Sequence, residues 1–173
     1  MEEETITYNP KYEKRWISGI DRGTFELQEE WLSQYSSVLS RSEYESFVKN
    51  QLIMGNKRLY HFAEWYVAIE YYKQGWMVLV EQYMFPKHKK IDKVKQLVGE
   101  DKMHFIQSAG SGVTQAPDLL IYNSEDEYFF VDVKKKGDRL SERQKEHFEK
   151  IIKELGCKVK IVNLVPDNSN TSS

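Results

Sequence analysis

Residues 116–144, "APDLLIYNSEDEYFFVDVKKKGDRLSERQ", decide how this chain is read. The apolar run "LLIY" follows Pro117-Asp118, and "EYFFVDVKK" follows the short turn "NSED". Both runs have strand composition, and a turn this short predicts that they pair as a hairpin. Side chains alternate across a strand. Phe129, Val131 and Val133 therefore share one face, and Phe130, Asp132 and Lys134 share the other. The hairpin returns Lys134 toward Asp118, which opens the preceding strand. Two carboxylates on adjacent strands repel each other unless a cation lies between them. Mg²⁺ takes oxygen ligands and is commonly held by one or two carboxylates together with a substrate phosphate. A metal held in this way polarises a phosphoryl oxygen and acidifies bound water, and a nearby lysine can offset developing negative charge. The plainer reading is a surface hairpin with solvated charges, since Asp-Xaa-Lys is a common tripeptide. An apolar opposite face, the Pro-Asp pair and the helix start at Ser141 weigh against it.

Ser141 and Gln144 have capping-box spacing, so a helix is expected over 142–155, closed by Gly156. "CKVKIVNLV" is the expected last strand, and residues 167–173 a disordered tail. Toward the N-terminus, "NKRLYHFAEWYVAIEYYKQGW" reads as a helix over 57–74 that is apolar on most sides and therefore buried. Residues 76–85 read as a strand, 86–102 as a basic loop with a short helix, and "MHFIQSAG" as another strand. Residues 1–57 have apolar positions at roughly helical spacing and read as a helical extension. It is expected to pack on the core, dimerise or position substrate. The fold class is thus α/β, with a mixed sheet over residues 58–166.

The 173 residues suffice for one domain with a core. No run of 18 apolar residues occurs, so no membrane helix is expected. The charged start is unlike a secretory signal, and the single Cys157 fits a reducing cytoplasmic location. A net charge of −2 excludes binding nucleic acid through bulk charge. The charge is uneven, however. Residues 1–50 hold six Lys/Arg against ten Asp/Glu, and residues 133–160 hold ten against five. A local basic face can bind phosphate, although solvated helix surface is the plainer account. His61, His88, His104 and His147 lack zinc spacing, and no dinucleotide, P-loop or serine-hydrolase motif occurs. Trp65, Tyr66, Tyr71, Tyr72 and Trp76 could stack on bases, but their helical spacing favours a core role.

Pro117-Asp118 followed by Asp132-Val133-Lys134 resembles the PD-(D/E)XK nuclease superfamily. The continuation "KKGDRLSERQ" is similar to its VRR-NUC branch, in which D-x-L-S-x-x-Q follows the lysine strand. The resemblance covers about residues 60–165 and implies a restriction-endonuclease-like core. It also implies a Mg²⁺-dependent nuclease, with Mn²⁺ as a substitute, that hydrolyses phosphodiesters usually in DNA. Asp118 and Asp132 would be metal ligands, Val133 would lend its carbonyl, Lys134 would be the catalytic lysine, and Gln144 would hold substrate or water. The family's helix glutamate has two candidates, Glu64 and Glu70. Glu64 is favoured because a partly buried carboxylate needs a cation, against the plainer account of a helix glutamate paired with a lysine. Lys135, Lys136, Arg139, Arg143, Lys89 and Lys90 are the expected nucleic-acid contacts. The chain departs from the branch in three ways: four residues separate Gly112 from Pro117, Asp132 stands where the branch often has Glu, and the insertion over residues 86–105 is longer than a minimal core needs. Structured or branched DNA is the expected substrate, with RNA left open, and a homodimer is expected if both strands are cut. The alternatives are a binding module that has lost catalysis and a protein-interaction scaffold on the same fold.

Overall fold

The computed structural model describes residues 1–13, 62–81, 83–86, 90–107 and 115–168. In chain order the elements are strand β1 (Glu2–Tyr8), helix α1 (Phe62–Lys73), strand β2 (Met77–Val80) and helix α2 (Lys90–Val98). A 3-10 helix (Glu100–Phe105), strands β3 (Leu119–Tyr122) and β4 (Tyr128–Lys135), helix α3 (Glu142–Leu155) and strand β5 (Lys158–Pro166) follow. The strands form one sheet in the order β1-β5-β4-β3-β2. β2, β3 and β4 are antiparallel neighbours, whereas β4–β5 and β5–β1 are parallel. This mixed sheet with flanking helices is the restriction-endonuclease-like α/β core that the sequence predicts.

The predicted hairpin forms, with Leu119 opposite Val131 and Tyr122 opposite Tyr128. α3 then carries the chain across to β5, as a parallel pair requires. α3 starts at the predicted capping box and ends at Gly156, whose φ of 67° is the left-handed stop. α1 buries Phe62, Ala63, Trp65, Val67, Ala68, Ile69 and Tyr71, which explains its nearly all-round apolar sequence. Tyr71 and Trp76 pack edge-on against Phe129 of β4, so these aromatics are core, as their spacing favoured. The central strands β3, β4 and β5 are lined by fully buried residues such as Leu120, Phe130 and Val162.

The N-terminal expectation is corrected at its start. Residues 2–8 form a strand of the core sheet rather than part of a helical extension. Their burial alternates with period two, with Glu4, Ile6 and Tyr8 more covered than Thr5 and Thr7. Pairing with β5 supplies the hydrogen bonds that so short a segment could not satisfy alone. Of the rest of that helical reading, residues 11–13 are helical and residues 14–57 lie outside the described residues. β2 is shorter than its predicted span, and the strand expected from Met103 is a 3-10 turn through Phe105. A short apolar run does not distinguish these states by periodicity, and here Ile106 is buried and its carbonyl is held by His147. At the other end, the Asp167 N–H donates to Tyr8 O at 2.7 Å, so the ordered sheet edge reaches into the expected tail. Residues 169–173 lie outside the described residues. Among the described residues no helix is long and apolar enough to cross a membrane.

Candidate active site

The two ladders that β3 makes with β2 and β4 end level and bring acidic residues side by side. The β2–β3 ladder ends with Val80 opposite Leu119, and the β3–β4 ladder ends with Leu119 opposite Val131. One rung further on, Glu81, Asp118 and Asp132 are neighbours. The Glu81 N–H still donates to Asp118 O at 2.8 Å. The next β3-facing N–H of β4, that of Val133, has no backbone acceptor, and the Asp118 side chain takes it at 2.9 Å through Oδ2. A strand residue directs its N–H and C=O toward the same neighbour, so the Val133 carbonyl also faces this opening. Beneath it lies fully buried Tyr83, whose hydroxyl donates to Pro117 O. Burial, then the Asp118 and Asp132 charges, raise the Tyr83 pKa well above the usual phenol value, which keeps it a donor.

Asp132 and Lys134 share a strand face, as alternation requires, and lie together. Lys134 Nζ is 2.8 Å from Asp132 Oδ2, and both side chains are nearly sealed from solvent. The contact is an ion pair without hydrogen-bond alignment, since no aligned donor reaches that oxygen. Lys134 Nζ also donates to Gln144 Oε1 at 3.4 Å. Gln144 is held by the capping box: its Oε1 accepts from Ser141 N at 3.1 Å, while its N–H donates to Ser141 Oγ at 3.1 Å. One amide oxygen therefore both caps α3 and steadies the lysine.

α1 supplies the fourth acid. One carboxylate oxygen each of Glu64, Glu81 and Asp118 lie within 4.8 Å of one another. Glu70, the other helix candidate, instead pairs with Lys73 at 3.3 Å on the surface, where it is remote from this group. Glu81 adopts φ 38°, a left-handed conformation that costs a non-glycine residue about 1–2 kcal/mol. Crowding is felt at Asp118. Desolvation first, then the charges of Asp132 and Glu64, raise its pKa well above the ordinary carboxylate value, against the Val133 N–H that lowers it. Clustered carboxylates with an adjacent carbonyl form an all-oxygen donor set, which suits a hard divalent cation. A divalent charge would relieve the repulsion among these carboxylates. The residues present therefore fit such an ion.

The structure thus brings together Glu64, Asp118, Asp132, Val133, Lys134 and Gln144. Lys135, Lys136, Arg139 and Arg143 are exposed on the turn and first helical residues that follow β4. Lys90 departs from its expected surface role. It is 9% exposed, and its Nζ reaches Val80 O at 2.8 Å and Glu81 O at 3.2 Å, so backbone carbonyls occupy it rather than phosphate. Lys89 lies outside the described residues. Glu81 was missed in the sequence, where it read as one more residue of a strand. Its signal was a lone carboxylate ending the apolar run "WMVLV". His147 is a satisfied core residue, 2.8 Å from Ile106 O through Nε2. Burial pushes the Cys157 thiol up to about 11, as for an inert partly buried cysteine.

No curated protein matches the chain. Residues 65–166 match the family model for the VRR-NUC domain, from one residue past Glu64 to the end of β5. That span takes in more than half of the chain and every strand of the sheet except β1. The chain belongs to the VRR-NUC family of PD-(D/E)XK-like nuclease domains.

Proposed function

We propose that the protein hydrolyses phosphodiester bonds in DNA, preferentially in structured or branched DNA, with Mg²⁺ or Mn²⁺ as cofactor. The observation that carries the reading is the convergence of Asp118, Asp132, Lys134 and Gln144 at the family's motif positions, with Glu64 and Glu81 beside them. Glu64, Glu81, Asp118, Asp132 and the Val133 carbonyl would hold the cation. When bound, such an ion supplies Lewis-acid polarisation of a phosphoryl oxygen and a lower pKa for water.

The chain's own residues do the rest. Lys134 holds a positive charge where negative charge grows on the phosphoryl group, and its near-complete burial strengthens that interaction. Gln144 keeps the ammonium directed at the site and leaves Asp132 only part of its attention. The Val133 N–H orients the Asp118 carboxylate beside the acidic group. Lys135, Lys136, Arg139 and Arg143 would engage flanking phosphates, which fixes the strand in register without reading its sequence.

The test is cleavage of labelled single-stranded, duplex, flap and four-way-junction DNA, with matching RNA, in Mg²⁺, Mn²⁺ or EDTA. Cation-dependent cutting that Asp132→Asn abolishes and Lys134→Ala strongly slows is the expected result. Binding without cutting would instead assign a binding module on the nuclease fold.

A further inference from the structure

Lys90 is a buried cation beside the acidic group, and the cleavage chemistry gives it no role. It opens α2, yet its side chain turns inward to the end of β2. Among the described residues β2 is the edge of the sheet, and no further described strand takes its outward carbonyls. The Glu81 N–H points at β3, where it meets Asp118 O. Across the same trans peptide, the Val80 carbonyl must point the opposite way, away from the sheet. In a regular strand the Glu81 carbonyl would follow its own N–H toward β3. The left-handed φ of 38° turns it instead, and one ammonium receives both carbonyls, at 2.8 and 3.2 Å. Lys90 thus supports a backbone conformation that a glutamate otherwise disfavours.

The geometry points to Lys90 as a positioning residue that locks the Val80–Glu81 backbone so that the Glu81 carboxylate meets Glu64 and Asp118. This rests on the proposed cation site and names the element that shapes it. A surface lysine could be exchanged freely, but this one carries a charge into a buried place, at a desolvation cost that its two carbonyl bonds help to offset. A methionine fills similar volume without the donors. It leaves the Val80 carbonyl without its lysine donor and Glu81 free to relax toward a strand conformation.

The experiment measures Mn²⁺ affinity by calorimetry, and Tm in EDTA, for wild type, Lys90→Met, Lys90→Gln, Val94→Ala and Asp118→Asn. Val94 is fully buried in the same helix, so its truncation loosens α2 while keeping the Lys90 ammonium. Lys90→Met is expected to weaken Mn²⁺ binding by about 10–100-fold, in the range for residues that orient metal ligands. Lys90→Gln, which keeps one donor, should lose less, and Val94→Ala should bind as wild type despite a lower Tm. The proposal is overturned if Lys90→Met binds as wild type, or if affinity simply tracks Tm across the Lys90 and Val94 variants. Should Lys90→Met fail to fold, Lys90→Gln decides by the same comparison. If wild type binds Mn²⁺ no better than Asp118→Asn, the cation site itself fails and the positioning role falls with it, an outcome read without any Lys90 variant.

Discussion

At the scale of single residues, Asp118 is crowded by like charge. Its carboxylate is enclosed beside Asp132 and Glu64, and only the Val133 N–H favours its charge. An asparagine keeps an acceptor for that N–H and removes the repulsion. Asp118→Asn should therefore raise the Tm of the cation-free protein while abolishing its response to Mn²⁺. In wild type, Mn²⁺ at about a hundred times its Kd should add about 2.7 kcal/mol of stability. Thermal melts with and without EDTA check both statements, and a destabilised asparagine variant would refute the account of crowding. Lys134→Ala removes a preorganised charge at the reacting centre, and turnover should fall by about 10²–10³-fold, measured by single-turnover cleavage.

At the scale of elements, α3 joins stability and chemistry through one cap. Ser141 and Gln144 satisfy each other's backbone N–H groups, and the same Gln144 oxygen meets Lys134. The two roles separate by substitution. Ser141→Ala should cost about 1 kcal/mol, read from urea midpoints, with turnover little changed because the Ser141 N–H still holds Gln144. Gln144→Ala should cost a comparable amount and also depress turnover. At the far end, Gly156 sits at φ 67° with open space where a Cβ would go. Gly156→Ala should accordingly lose only the left-handed backbone cost, about 1–2 kcal/mol.

At the scale of the molecule, the described core depends on contacts between distant parts of the chain. Tyr8 of β1 packs on Phe62 and Tyr66 of α1, with ring centroids 5.5 and 5.6 Å away. Tyr8→Ala should destabilise by about 3–5 kcal/mol, as for other large buried aromatics, which would tie β1 to the core cooperatively. His147 links α3 to the 3-10 turn and sets a dependence on pH. Desolvation first, and the Lys150 charge, lower its pKa from 6.5, against the Ile106 carbonyl that raises it. The unfolded chain then binds the proton more readily than the folded one, so stability holds above the unfolded value of about 6.5 and falls as pH drops through the folded value. Chemical denaturation between pH 7.5 and 5 should show this loss, and His147→Gln should flatten it.

Local signals carried much of this protein. Alternation in "FFVDVK" put Asp132 and Lys134 on one face, the short "NSED" turn set the hairpin, and the Ser141–Gln144 spacing marked the start of α3. Each depends on residues a few positions apart, whose geometry the backbone itself imposes. The motif built on them was equally legible, because its members lie within one hairpin and the helix that follows. What lay beyond was decided by long-range pairing. Glu2–Tyr8 became a strand because β5, at the other end of the chain, offered it an edge. Met103–Phe105 lost its expected strand, and Lys90 turned from solvent to the carbonyls of β2. Glu81 joined the acidic group only because β2 ends level with β3, whereas Glu64, already favoured over Glu70 in the sequence, is carried to the group by α1. These outcomes depend on burial and unsatisfied backbone groups created when the sheet assembles, and no short window of sequence contains them.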